Sequence, residues 1–309
     1  MISCPICEFK IIVKYDSDFY VCSNCEYQFN IKNIKDSAIK KYYNGDLGLL
    51  VQAALENTGN FKLKPYHKKT LNFLEKQFNK QSFHRICDIG CGTGTFLNAT
   101  RVYNFTCYGY DLNKEHISIA KKTFGLKNIR VSGDLNGYCK RLSLPRNFFD
   151  VITMFEVLEH VRNVNSVVES VYRYLRPGGY FIFSTPNFDR IPIKERWDKP
   201  PIHLSRFKEK NIRILINKHN LDIEKITFYN ELGYYCDNII HRLSFSRNVS
   251  RALVEDQGNP SKKRFSLFIL RYLTRSKKLL CKIVDLPLFS ILFLFPKRGH
   301  TMLVFAKKK

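Results

Sequence analysis

Four cysteines stand in the first 25 residues, as Cys4-Pro5-Ile6-Cys7 and Cys22-Ser23-Asn24-Cys25. Two C-x2-C pairs, fourteen residues apart, can each present two thiolates from one tight turn, and four thiolates match the tetrahedral preference of Zn2+. A closed four-sulfur site has no open position for substrate, so the expected role of the metal is structural. A second constellation is Gly90-Cys91-Gly92-Thr93-Gly94, preceded by Asp88 and followed about twenty residues on by Asp111. Glycines let a bound cofactor approach the backbone, and a carboxylate at that distance can accept hydrogen bonds from both hydroxyls of a ribose. Two histidines are candidates for a general base: His160, in Glu156-Val157-Leu158-Glu159-His160, and His203, in Pro200-Pro201-Ile202-His203-Leu204.

These residues need elements to hold them. Phe9 to Val21 alternates apolar and polar residues around Asp16-Ser17-Asp18, the pattern of a β-hairpin, and residues 1–30 read as a zinc ribbon. Arg85 to Ile89 is an apolar strand that runs into the glycine turn and then a helical pattern. Further strands are expected at Thr106–Tyr110, ending in Asp111; at Ile129–Ser132, leading to Asp134-Leu135; at Phe149–Phe155; and at Tyr180–Ser184, after a helix stopped by Leu175-Arg176-Pro177-Gly178-Gly179. His160 falls on an expected helix after the fourth strand. His203 lies in the crossover after the fifth, over the carboxyl ends of the strands. A helix is expected over Ser205–His219, with Phe207, Ile212, Leu215 and Ile216 on one face, then strands at Leu221–Phe228 and Thr301–Ala306. The loop is not G-x-G-x-x-G, and no GK[ST] occurs, which argues against dinucleotide dehydrogenases and P-loop enzymes.

DIGCGTG, GYD, GDL, FDVITMFEVLEHV, LRPGG and STPN stand in order over residues 84–187. In these motifs the sequence resembles the class I S-adenosylmethionine-dependent methyltransferases, in wording most like the branch of ubiquinone-pathway O-methyltransferases and bacterial sugar or surface-glycan methyltransferases. The resemblance implies an α/β fold: a Rossmann-like seven-stranded sheet of order 3-2-1-4-5-7-6. It implies that Gly90, Gly92 and Gly94 pass under the methionine part of S-adenosyl-L-methionine, with Asp88 fixing the loop or the amino group. Asp111 would hold the ribose diol and Leu112 flank the adenine. Asp134 would bond the adenine amine with Leu135 beside the ring, and Phe155 would border the methionine tail. Asp134 also reads as a helix N-cap, and Glu156 and Glu159 as solvated or packing residues of a helix start. In the related branch, aromatics before the core help close the pocket, which makes Tyr42 and Tyr43 weaker candidates. The [DNS]-P-P-[YF] motif of base amine methylation and the Pro-Cys of pyrimidine C5 methylation are both missing.

The 309 residues are 44% hydrophobic and 25% charged, enough to build a core, with 51 Lys and Arg against 27 Asp and Glu, a net +24. Such a chain is drawn to anionic partners. From Arg242 to Lys309 there are 16 basic and 3 acidic residues, net +13, beside the apolar run Leu286 to Phe295. That pairing suits an element lying in an anionic membrane interface; a cap packed on the core and an RNA-binding surface are the alternatives. The expected organisation is a ribbon over 1–30, a helical lead-in over 31–80, a methyltransferase domain over 81–230 and 301–309, and a basic helical insertion over 231–300. The start has no signal-peptide pattern and no run is long enough to span a membrane, so the expected location is cytoplasmic, at the inner membrane face if the insertion binds lipid. The expected activity is O-methylation of a sugar or other small-molecule hydroxyl, a membrane-associated glycan precursor included. RNA methylation, quinone-pathway O-methylation and a non-catalytic binding module are the alternatives, with nucleic acid the less favoured partner.

Overall fold

The computed structural model describes residues 3–31, 61–190, 198–229 and 296–309. The chain divides into two compact units. The first is Met1–Phe188, Arg196–Tyr229 and Thr301–Lys309, and the second is Asp189–Glu195 and Asn230–His300. In the second, Arg298 Nη1 donates to the Asp189 carbonyl at 2.7 Å. Tyr42, Tyr43, Trp197 and almost all of the basic insertion lie outside the described residues. No helix among the described residues is long and apolar enough to cross a membrane.

The first unit begins with strands β1 (Ile12–Lys14), β2 (Tyr20–Cys22) and β3 (Gln28–Phe29). The β1–β2 turn closes on Asp16, whose Oδ1 accepts the amides of Asp18 and Phe19 at 2.8 and 2.9 Å, the local side-chain bond that makes Asp a turn residue. Helix α1 (Pro65–Gln77) follows, then β4 (His84–Ile89), α2 (Thr95–Thr100), β5 (Phe105–Asp111), α3 (Lys114–Phe124), β6 (Asn128–Val131), α4 (Leu135–Arg141), β7 (Phe149–Phe155), α5 (Val164–Tyr174), β8 (Leu175–Pro186), β9 (Ser205–Arg206), α6 (Glu209–Lys218), β10 (Leu221–Tyr229) and β11 (Thr301–Lys308). Asn113, Asp134 and Asn163 cap the starts of α3, α4 and α5, accepting the amides of His116, Gly137 and Ser166.

Seven strands form one sheet in the order β10-β11-β8-β7-β4-β5-β6. Counted along the sheet this is the expected 3-2-1-4-5-7-6, parallel except for β11, which runs antiparallel to both β8 and β10. The central strands are covered on both faces: Val151, Ile152 and Met154 of β7 and Phe181, Ile182 and Phe183 of β8 are fully buried. That explains their nearly continuous apolar runs. The order reverses at β4, so a crevice opens at the carboxyl ends of β4 and β7, the place where open α/β sheets bind ligands.

Two strands differ from their sequence expectation. Strand β8 starts at Leu175, pairs first with Phe149, and then resumes at Tyr180 opposite Val151, so that Arg176 to Gly179 bulge out of the ladder. The second difference matters more for function. Ser205 and Arg206 are not the start of a helix; they form β9, which pairs with β3 of the ribbon through Gln28↔Arg206 and Phe29↔Ser205, and α6 begins only at Glu209. A strand partner outweighs local helical periodicity here. The ribbon is thus a four-stranded sheet, β1-β2-β3-β9, whose last strand belongs to the crossover after β8.

The ribbon shares its core with the domain. Cys4, Ile6, Cys22, Cys25, Tyr27 and Phe29 lie in one buried cluster with Phe207, Ile212 and Leu215. Tyr27 packs on Phe207 with ring centres 5.3 Å apart and shares a 2.6 Å hydrogen bond with the Ser205 hydroxyl. Ion pairs Lys208–Glu26 and Lys218–Glu8, both 2.6 Å, sit at the rim, where solvent screening keeps them weak. The burial of Phe207 is the larger contribution. Phe207→Ala should cost about 3–5 kcal/mol in urea unfolding and loosen ribbon and domain in one transition; a ribbon that keeps its wild-type midpoint would show the two to be separate.

Candidate functional site

The glycine turn leaves β4 where the crevice opens. The amides of Gly90 and Cys91 both donate to the Tyr110 carbonyl, at 2.8 and 3.0 Å, which folds the turn back over β5. Gly90 has φ +71°, and a Cβ there would meet Val157 Cγ2 at 2.5 Å, so the position admits only glycine. Gly92, φ +51°, has open space where its Cβ would be, a hollow at the backbone that a ligand can fill. Gly94 starts α2 and packs toward Leu126 and Ala120.

Two carboxylates lie at the strand ends beside the turn. Asp111 Oδ2 accepts the Gly92 amide at 2.9 Å and its Oδ1 the Asn113 amide at 2.8 Å, which fixes the group at the end of β5. Asp88 is 3% exposed and accepts the Thr153 hydroxyl at 2.7 Å. Burial pushes its carboxyl up to about 7; the Thr153 bond opposes this and the Asp111 charge adds to it. Leu112 is exposed on the next loop and faces Gly133. Asp134 spends Oδ1 on the Gly137 amide at 2.7 Å, so the N-cap reading holds. Leu135 is a core residue, 3% exposed. Phe155 closes the other side against Tyr66, His67 and Phe96, at ring distances of 5.4, 4.8 and 4.9 Å. Burial pushes His67 down to about 3, so it is a neutral packing ring. Tyr66 and His67 are the described part of the lead-in that reaches the site.

After Val157 the chain makes a short 3-10 turn, Leu158–His160, in place of the expected helix. It brings together groups that the sequence separates by more than forty positions. Glu159, His160 and His203 place one polar atom each within 4.8 Å of one another. His160 Nδ1 donates to the Ile202 carbonyl at 2.7 Å, and its Nε2 lies 3.7 Å from Glu159 Oε1. His203 Nδ1 lies 3.2 Å from Asp198 Oδ1, and the two histidine rings are 4.9 Å apart. Burial holds His160 below its usual pKa.

Glu159 is not the solvated residue that its sequence position suggests. It is 1% exposed; Oε2 accepts the Thr185 hydroxyl at 3.2 Å, while Oε1 is buried without a hydrogen-bond partner. Burial pushes its carboxyl up to about 7, against the pull of His203. Glu156 is different: half-buried, with φ +53°, and holding the Ser184 hydroxyl at 2.6 Å. Asp198 and Glu159 are the site residues that sequence reasoning missed. The hint for Glu159 was a second acidic residue in EVLEHV directly after a buried strand.

The four ribbon cysteines converge as their spacing implies. All four Sγ atoms lie within 4.8 Å of one another, with Cys4–Cys25 and Cys7–Cys22 at 3.5 Å. A tetrahedral ion with bonds of about 2.3 Å needs sulfurs about 3.8 Å apart, so the donor set and its spacing suit Zn2+. The hydrogen bond between Cys4 and Cys25 holds the Cys4 thiol below its usual range and pushes Cys25 up, one thiolate shared by the pair. Cys87, Cys91, Cys107 and Cys139 are buried and scattered, as small apolar filler.

A doubly wound sheet of this order, with a glycine turn and two carboxylates at its switch point, defines a class I methyltransferase fold. The profile of the family described as "Methyltransferase domain" matches residues 61–226, and the chain belongs to that family, whose class takes its methyl group from S-adenosyl-L-methionine. The ubiquinone biosynthesis O-methyltransferase of Nitrosomonas europaea is 30% identical over 136 residues, 41% of this chain and 56% of its own length. That of Coxiella burnetii is 28% identical over 132 residues, 41% of this chain and 54% of its own. The chain thus spans about half the length of the curated relatives it matches. The solved structure of Haemonchus contortus phosphoethanolamine N-methyltransferase 2 with S-adenosyl-L-methionine shares the fold, with a TM-score of 0.55 at 17% identity over 91% of this chain and 61% of that one.

The buried Glu159 gives a pH signature. Its folded pKa is raised, from 4.5 to about 7, so between those values the folded state holds a proton that the unfolded state has lost. Stability from this group is full below pH about 4.5 and falls as pH rises toward 7. Glu159→Gln should be relatively more stable at pH 8 than at pH 4, by on the order of 3 kcal/mol, measured by urea unfolding at the two pH values. An identical pH dependence in both proteins would place the Glu159 charge in water.

Proposed function

We propose that the protein transfers the methyl group of S-adenosylmethionine to a hydroxyl of a small molecule. The observation that carries this reading is the Glu159–His160–His203 cluster joined directly to the cofactor hollow, since Val157, two residues before Glu159, is the side chain that packs on Gly90. When bound, the cofactor supplies a methyl already activated on a sulfonium. The chain has to orient it, exclude water and take the acceptor's proton. Gly90 and Gly92 admit the cofactor to the backbone, Asp111 takes the ribose hydroxyls, Leu112 flanks the adenine with Asp134 at its edge, and Asp88 faces the methionine amino group. The Phe155, Tyr66 and His67 rings keep water from the methionine end.

His203 takes the hydroxyl proton in this scheme. Its Nδ1–H points at Asp198, which leaves Nε2 as the lone-pair acceptor, the arrangement of a base oriented by a carboxylate. The ribbon cysteines hold a structural Zn2+. Support for oxygen as the methylated atom comes from the two ubiquinone biosynthesis O-methyltransferases above. For the acceptor we favour a sugar or a membrane-associated glycan precursor, with the basic stretch from Arg242 onward held at an anionic membrane surface.

The test is incubation with methyl-labelled cofactor and separated cell fractions. Label should enter lipid-linked glycans or small metabolites; label confined to RNA would overturn the acceptor class. His203→Ala should keep cofactor affinity within about twofold and cut turnover by about 10²- to 10⁴-fold; unchanged turnover removes it from the mechanism. Because Asp88 must be ionised to face a cationic amino group and sits at about 7, calorimetric affinity for S-adenosylmethionine should fall as pH drops below 7, up to about tenfold per unit. Asp88→Asn should flatten that slope.

A further inference from the structure

We propose that Arg206 is a positioning residue through which the cysteine ribbon orients His203, an inference that rests on the reading of His203 as the base. Arg206 lies in β9, paired with the ribbon on one side and three residues past His203 on the other. Its side chain is 9% exposed. The guanidinium lies over the Phe19 ring at 3.8 Å and near that of Phe188 at 5.0 Å. Nη1 donates to Gln28 Oε1 at 3.1 Å and reaches Asp16 Oδ2 at 3.5 Å, both in the ribbon. Nε and Nη2 both donate to one acceptor, the Asp198 backbone carbonyl, at 3.2 and 2.8 Å.

That carbonyl belongs to the residue whose carboxylate meets His203 Nδ1. The connection therefore runs from Asp16, Phe19 and Gln28 through one planar fork to the peptide of Asp198, and from its side chain to the imidazole. Ribbon bonds on both sides of the same loop reinforce it: Asn30 N donates to the Leu204 carbonyl at 2.9 Å and Tyr27 bonds Ser205. A lysine at 206 would keep the charge but not the fork, because one ammonium cannot grip Asp198 with two parallel N–H groups while reaching Gln28. With Asp198 loosened, His203 loses the bond that keeps its proton on Nδ1, and the Nε2–H tautomer gains population.

The test reads the imidazole itself. In long-range 1H–15N spectra of the full chain, His203 is assigned by its loss in His203→Gln. Arg206→Lys should shift its tautomer ratio toward Nε2–H by roughly three- to tenfold, the effect of one lost hydrogen bond. Far-UV dichroism, metal content and S-adenosylmethionine affinity should stay at wild-type values. Asp16→Asn, which keeps the turn acceptor and removes only the charge facing Arg206, should shift the ratio the same way by less, and it decides the matter if the lysine variant does not fold. His203 signals that superimpose on wild type in the folded variants would overturn the proposal. Absence of methyl transfer in the wild type would defeat the functional reading alone, because the tautomer comparison needs no acceptor.

Discussion

The short antiparallel pairing of Gln28–Phe29 with Ser205–Arg206 is the interaction on which the loop carrying His203 depends. The cofactor side is built within the sheet, from turns at the ends of β4, β5, β6 and β7, and such turns are set by short-range bonds. His203 stands on a crossover loop, and loops of this kind have few backbone partners of their own. Here the loop borrows them. One edge is held by the ribbon through β9, and the other by the Leu204 amide on the Glu159 carbonyl at 2.8 Å. With both edges fixed, His203 has a defined position above the strand ends. A small ribbon stabilised by a four-cysteine site is a compact way to supply that edge, because a hairpin of this size cannot hold itself together by burial alone.

Two carboxyls, Asp88 and Glu159, are held near 7 by burial. Neither is a feature that stability would favour, since a buried carboxyl without a full set of partners costs free energy. Both lie at the crevice, and local conflicts of this kind concentrate where a fold does chemistry. Lys308, by contrast, is buried with its ammonium shared among Asn147 and the carbonyls of Tyr172 and Leu175. It pins the last strand and serves only the scaffold.

What the sequence made legible follows from the range of each interaction. The cysteine pairs and the DIGCGTG turn are local, so their spacing alone identified the ribbon and the hollow. Strands β4 to β8 are nearly uniform apolar runs, and the sheet order followed from the family likeness. The short strand β9 was hidden because Ser205 and Arg206 continue a helical periodicity, and only a partner some 180 residues away makes them extended. Glu159 was hidden for the same reason: nothing in EVLEHV tells that His203 and Thr185 will cover it. Asp198 and Arg206, polar residues beside a proline-rich stretch, gained roles only once the ribbon and the crossover were side by side.

The most direct measurement of the central claim is amide hydrogen exchange across the first unit, with and without a chelator of the metal that the four cysteines would hold. The account predicts faster exchange in residues 198–208 together with the ribbon, while β4, β5 and β7 keep their protection. Protection of 198–208 that is untouched by the chelator would contradict it.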